Sequence, residues 1–152
     1  MKKKICLVGM GLLFVSMVLL SCAPVQKTVI TKNNLSTLQG TWEGWTSFSA
    51  AMARPVLTNF QINNTTIPLI GTITIYNIPQ EIANALPSST LPVGNNITIN
   101  FNDGKLTDQG TIIGQGTMGN FLELTLYAGE KMKMSGWFYY YGIKGTMDLT
   151  KK

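Results

Sequence analysis

The sequence predicts an all-β protein, an antiparallel up-and-down barrel of about eight strands. Three observations lead to this prediction. Segments of about ten residues alternate apolar and polar side chains, turn-forming residues separate them, and glycines stand at inward positions where a barrel wall curves tightly. The segments are residues 40–49, 56–63, 66–77, 96–102, 110–118, 121–128, 131–141 and 142–150.

Alternation also predicts which side chains face the core, because successive strand residues point to opposite faces. In three segments we expect the inward residues to be Ile97, Ile99, Phe101, Leu122, Leu124, Leu126, Ile143, Gly145, Met147 and Leu149. Asn, Asp and Gly favour turns, so we expect turns at Asn63-Asn64, Asn102-Asp103-Gly104, Gly119-Asn120 and Ala128-Gly129-Glu130.

One segment, residues 79–95, interrupts the strands and is predicted as a short helix or a long loop. Pro79 suits the first position of a helix over residues 79–86, and Pro87 suits its end. The remainder is loop. Long loops often carry binding sites, but a plain surface connection explains this one equally well.

The chain begins with a targeting segment. Three lysines, Lys2 to Lys4, precede an apolar run over residues 5–20, which is the pattern of a secretory signal. The run is close to the lower length limit of a transmembrane helix, so a permanent anchor helix is the alternative.

The stretch Leu19-Leu20-Ser21-Cys22 resembles the lipobox of bacterial lipoproteins. The resemblance implies cleavage after Ser21, acylation of Cys22 and attachment to a membrane, since two or more acyl chains anchor stably. In Gram-negative lipoproteins, an Asp directly after the lipidated Cys retains the protein at the inner membrane. The residue at this place is Ala23, which by the same resemblance favours the outer membrane in a Gram-negative cell. We therefore expect a signal peptide over 1–21, lipidated Cys22 with a polar tether over 22–37, and a barrel domain over 38–152. Brief pairing of Val29 and Ile30 with a strand edge is the alternative for the tether.

Composition narrows the function classes. The chain contains no histidine, and its two cysteines are Cys6, in the leader, and Cys22. The mature domain therefore has no disulfide, and it lacks the commonest general base and metal ligand. The net charge of +5 falls to about +2 without Lys2 to Lys4, which gives no basic surface for nucleic acid. We expect no enzymatic activity, no metal and no cofactor. The oligomeric state stays open.

The first barrel segment contains Gly40-Thr41-Trp42, which resembles the Gly-x-Trp that opens lipocalin-like barrels of the calycin group. The resemblance implies an eight-stranded barrel with Trp42 plugging one end. Lipocalins also carry a Thr-Asp pair in a later turn, where Thr107-Asp108 stands here. They also carry an arginine near the chain end that packs across the Trp. The only arginine here is Arg54, far from the end, and Lys144 would cover Trp42 only by analogy with the lipocalin arginine.

Aromatic residues suggest where a ligand would bind. Alternation places Trp137, Tyr139 and Tyr141 on one face of their segment, and Phe138 and Tyr140 on the other. We predict that Trp42, Phe138 and Tyr140 line an interior site for a small hydrophobic ligand, with tyrosine hydroxyls as polar contacts. Plain core filling is equally compatible. The alternative function is a structural or adhesion module that meets an envelope component through outward aromatic residues.

Overall fold

The computed structural model describes residues 26–27, 29–49, 54–87, 95–115 and 121–152. The targeting segment 1–21, the predicted lipidation residue Cys22 and the predicted turn Gly119-Asn120 lie outside the described residues. In the part of the chain that is described, no helix is long and apolar enough to span a bilayer.

Nine strands and two short helices make up the described chain. In order they are β1 (Gln26–Lys27), the 3-10 helix η1 (Lys32–Thr37), β2 (Gly40–Phe48), β3 (Val56–Ile62), β4 (Leu69–Ile75), α1 (Gln80–Ala85), β5 (Ile97–Leu106), β6 (Thr111–Gln115), β7 (Phe121–Ala128), β8 (Lys133–Tyr140) and β9 (Ile143–Lys151).

Strands β2 to β9 form a closed barrel in which every strand pairs antiparallel with its neighbours along the chain. The barrel closes where β2 pairs with β9, from Trp42 opposite Lys151 to Phe48 opposite Gly145. Strand β1 lies outside this cycle and pairs with the end of β7. The predicted fold class, an up-and-down barrel of eight strands with one short helix near residue 80, is confirmed.

One predicted turn is wrong. Asn102-Asp103-Gly104 lies inside β5, which continues to Leu106, and the chain turns at residues 107–110 instead. Pairing on both sides overrides the local turn preference here. Gly104 stands opposite Leu69 across an irregular register, and the Asp103 carboxylate accepts the backbone N–H of Gln115 at 2.9 Å.

The barrel interior is filled by the inward side chains of all eight strands. Each of the ten inward residues expected from alternation is buried. Aromatic rings meet across the core: Phe48 packs edge-on against Phe138 with ring centroids 5.7 Å apart, and Phe60 lies 5.3 Å from Phe101. Gly145 faces the Phe138 ring so closely that a Cβ would collide with it. The glycine therefore makes room for the ring.

The N-terminal segment closes one end of the barrel, which we call the N-terminal end. This end of the barrel also contains the β3–β4, β5–β6 and β7–β8 connections. In the described part of the predicted tether, residues 26–27 and 29–37, the structure differs from a polar tether, because Ile30 and Leu35 are 2% and 4% exposed and belong to the core. They are apolar residues in a polar segment, so burial favours docking them on the barrel.

Helix α1 lies at the other end, which we call the helix end, because it connects the end of β4 to the start of β5. Pro79 precedes the helix as its N-cap, and Ile82 is buried in the same core cluster as Ile78 and Leu86. The predicted helix is thus present, and its apolar residues fill space above the barrel interior.

Trp42 plugs the N-terminal end, as the resemblance to lipocalin-like barrels implies. Its side chain is fully buried, and its indole N–H donates to the carbonyl of Leu38 at 2.8 Å. The residue that covers the indole is Lys151, with Nζ 5.8 Å from the ring centroid, and its ammonium group donates to the carbonyl of Thr37. Lys144 does not cover Trp42; its Nζ lies over Trp137 and Tyr139 at the helix end.

Lys151 lies two residues after the inward-facing Leu149. Alternation along the strand therefore predicts that the Lys151 side chain also points inward. The predicted segment ended at residue 150 and therefore missed it.

We predict that Lys151→Gln lowers the free energy of unfolding by about 1–2 kcal/mol, because a charge-assisted hydrogen bond and a cation–π contact are lost at a half-buried site. The adjacent Lys152 is the matched control. It is exposed and ion-paired with Glu43, so Lys152→Gln should cost at most about 0.5 kcal/mol. Urea unfolding of the two variants measures both values, and equal losses would contradict the role given to Lys151.

Candidate functional site

The three residues predicted to line an interior site all face the interior. Trp42, Phe138 and Tyr140 are 0%, 1% and 8% exposed. The structure brings Phe138 and Tyr140 together on one face of β8 but does not bring them to Trp42. Phe138 packs on Phe48, which lies six residues after Trp42 on β2, or about 20 Å along the strand.

The part of the interior around Phe101 and Phe138 leaves little free volume between the described side chains. A void of about 10 Å³ lies beside Phe101 and Phe138 and is lined by apolar residues and Tyr139. Such a void holds about one water molecule, whereas pockets for drug-sized ligands are roughly 300–1,000 Å³. A small molecule would therefore have to displace core side chains to bind around Phe138.

Tyr140 is a buried ionisable residue of the core cluster. Burial raises the pKa of its hydroxyl above the ordinary value, and the neighbouring Tyr141 raises it further. The Tyr140 and Tyr141 rings meet edge-on with centroids 4.8 Å apart at the β8–β9 turn. Tyr140 thus keeps its proton at neutral pH, and among the described residues no buried side-chain N or O atom lacks a hydrogen-bond partner.

A larger concavity lies on the outer surface of the barrel. It is a groove of about 500 Å³ that crosses strands β2, β9, β8 and β7, and we call it the outer groove. The side chains that line it from outward positions are Glu43, Trp45, Tyr127, Lys133, Ser135, Asp148 and Thr150.

Strand register arranges these side chains in two rows. Trp45 stands opposite Asp148, which stands opposite Ser135. In the second row, Glu43 is opposite Thr150, Thr150 is opposite Lys133, and Lys133 is opposite Tyr127. Trp45 on β2 and Tyr127 on β7 are therefore separated by three strand spacings, about 14 Å, around the barrel wall and by two residues, about 7 Å, along the strands.

The floor of the outer groove contains Gly44, whose place only glycine can take. A Cβ on Gly44 would collide with the backbone carbonyl of Asp148 on the paired strand. The two backbones therefore approach more closely than any larger residue permits, directly between Glu43 and Trp45.

The outer groove offers an apolar surface together with both signs of charge. Trp45 is 56% exposed, although tryptophan usually buries most of its ring. Glu43 forms an ion pair of 2.6 Å with Lys152, while Asp148 and Lys133 have no ion-pair partner among the described residues. This arrangement suits an amphipathic ligand that stacks on the indole and exchanges hydrogen bonds with the polar wall.

A second outward aromatic cluster lies at the helix end. Phe121 stacks on Trp137 with centroids 5.0 Å apart, and Tyr139 meets Trp137 edge-on at 5.3 Å. Lys144 lies over both Trp137 and Tyr139. These rings confirm the face expected for Trp137 and Tyr139. The three rings contact one another, whereas the Trp45 ring is largely exposed to solvent.

Metal-binding side chains do not cluster in the described chain, where no group of three or more Cys, Asp and Glu residues could hold an ion. Cys22, the predicted lipidation site, lies outside the described residues. Trp45 was recognisable as outward from its spacing to Trp42, but the groove depends on which strands become neighbours and so was missed.

Comparison with known proteins adds no relative. Family models, curated proteins and solved structures were all searched, and none matches this chain significantly.

We predict that the native protein takes up no apolar fluorescent dye, because its interior is filled. Phe138→Ala should open a cavity that binds the dye, at a cost of about 3–5 kcal/mol in stability. Leu57→Ala, which removes an exposed apolar side chain from the outer surface and does not line this void, is the control and should bind none. Dye fluorescence with each folded protein measures this, and uptake by the native protein that Trp45→Ala does not reduce would instead favour the interior ligand site.

Proposed function

We propose that this chain is a lipid-anchored protein of the bacterial envelope and that it works as a binding module through the outer groove of its barrel. The observation that carries the proposal is the contrast between the filled interior and the open groove beside the exposed Trp45.

The anchor rests on the lipobox-like stretch and is compatible with the position of the described chain. Cys22 is four residues before Gln26, where β1 begins at the N-terminal end. Each residue spans at most about 3.6 Å, so Cys22 lies within about 14 Å of Gln26. A lipid on Cys22 would therefore hold the barrel close to the bilayer, with the outer groove on its side wall.

Volume favours the outer groove over the barrel interior as the binding site. Its 500 Å³ lies within the range of ligand sites, whereas the interior void has 10 Å³. An exposed tryptophan beside polar groups is also typical of the residues that dominate binding surfaces. The interior site around Trp42, Phe138 and Tyr140 is the alternative, and it requires the core to expand. Enzymatic activity is not part of the proposal.

Mass spectrometry of the chain produced in a bacterial host tests the anchor. We expect a polypeptide that begins at Cys22 and carries a diacylglyceryl group with a further acyl chain on the new amino terminus. Cys22→Ser should remove the lipid mass, and Cys6→Ser, in the leader, should not change it. A mature chain with an unmodified Cys22 would overturn the anchor.

A photoreactive amino acid placed at Ser135, inside the outer groove, tests the binding module in growing cells. We expect a discrete cross-linked product, and we expect Trp45→Ala to reduce it about ten-fold or more, since a buried contact with tryptophan dominates such surfaces.

Two controls make this result specific. Leu57→Ala changes an exposed apolar residue opposite Trp45 but outside the groove, and it should leave the product unchanged. The same photoreactive residue at Thr72, on the opposite wall, should give no product. Equal products from both positions would contradict the proposal.

A further inference from the structure

Three strands at the N-terminal end carry a lysine, a tyrosine and a lysine in one row. Tyr127 on β7 stands opposite Lys27 on one side and opposite Lys133 on the other. Directly opposite residues of antiparallel strands project from the same face. Both lysines are exposed, and their backbones lie two strand spacings or about 10 Å apart, with the phenol between them.

The charge of this row is not neutralised by its neighbours. Among the described residues the one salt bridge joins Lys152 to Glu43, which leaves both row lysines without an ion-pair partner. Lys131 is exposed in the adjoining β7–β8 connection. Of the acids that share the outer groove with Lys133, Glu43 pairs with Lys152, and Asp148 lies diagonal to Lys133 across the β8–β9 pair. The row therefore has two lysines against this one unpaired acid, while Asp108 and Glu130 in the turns of the same end are matched in number by Lys105 and Lys131.

The row also lies where the anchor would reach the barrel. Lys27 is five residues after Cys22 and lies in β1, the first described strand. Five residues span at most about 18 Å, at about 3.6 Å per residue, which is about two screening lengths of 8 Å at physiological salt. An anchored barrel therefore holds the row within electrostatic reach of the lipid headgroups.

We infer that the row Lys27–Tyr127–Lys133 is a membrane-contact face that binds anionic phospholipid headgroups. The inference rests on the proposed lipid anchor at Cys22, which brings the face to the bilayer. The ammonium groups meet the phosphates, and the tyrosine ring sits at the headgroup level, where aromatic residues with a polar end are stabilised. The barrel thus stands on its N-terminal end, with α1 directed away from the membrane.

Single-cysteine labelling tests the orientation, since the mature domain has no cysteine besides Cys22. The lipidated protein is reconstituted in phosphatidylcholine vesicles with or without phosphatidylglycerol, and both contain a headgroup quencher. A fluorophore is placed at Gln109→Cys, in the β5–β6 turn of the N-terminal end, or at Glu81→Cys, on α1. We expect stronger quenching at position 109 than at position 81 in anionic vesicles, and a smaller difference in neutral vesicles or at high salt.

The variant Lys27→Gln/Lys133→Gln separates the row from the anchor. Each lysine near an anionic surface shifts binding about five-fold, so this pair should remove most of the difference between the two labels. The control Arg54→Gln/Lys144→Gln makes the same charge change at the helix end and should preserve it. Equal quenching at both positions, or quenching that the row variant does not change, overturns the membrane-contact face. Loss of the protein from neutral vesicles signals instead that the lipid anchor is absent.

Discussion

Closure of the barrel depends on the packing around Trp42. The indole donates its N–H to Leu38 in the segment before β2, and Lys151 at the end of β9 lies across its face. The same lysine donates to Thr37, so the first and last strands and the N-terminal segment meet at one buried ring. A cation over an aromatic face and a hydrogen bond from a charged group gain strength where water is excluded. The pairing of β2 with β9 then leaves the eight-stranded cycle without an open edge.

A barrel of eight strands has an interior that side chains can fill, and this one uses aromatic rings to do so. The Phe48–Phe138 and Phe60–Phe101 pairs occupy space that a ligand-carrying barrel would keep open. Gly145 has no side chain, which leaves room for the Phe138 ring. The interior therefore contributes stability, while the chemically varied residues stand on the outside. Trp45, Asp148 and Lys133 meet there only because β9 and β8 follow β2 around the wall.

Much of the fold could be predicted from the sequence because alternation is a local property. Leu122, Leu124 and Leu126 reveal the inward face of β7 without any knowledge of its partners. The turn at Asn102-Asp103-Gly104 could not be judged in the same way, since pairing with β4 and β6 carries β5 through it. The outer groove depends on four strands and their register, and the burial of Ile30 depends on the end of the barrel that it covers. These are tertiary properties, for which the residue pattern of one segment carries no signal.

The N-terminal segment also has a mechanical consequence. It closes the barrel end, and its first described residue, Gln26, is four residues after Cys22, so a pull on the chain before β1 acts on this closure. The two-residue pairing of β1 with β7 takes that load first. Further along the chain, Ile30 and Leu35 lie in the core, and the ammonium group of Lys151 donates a hydrogen bond to the carbonyl of Thr37. The two-residue pairing is therefore the smaller of the two attachments, and its loss would leave the contacts that cover Trp42 in place.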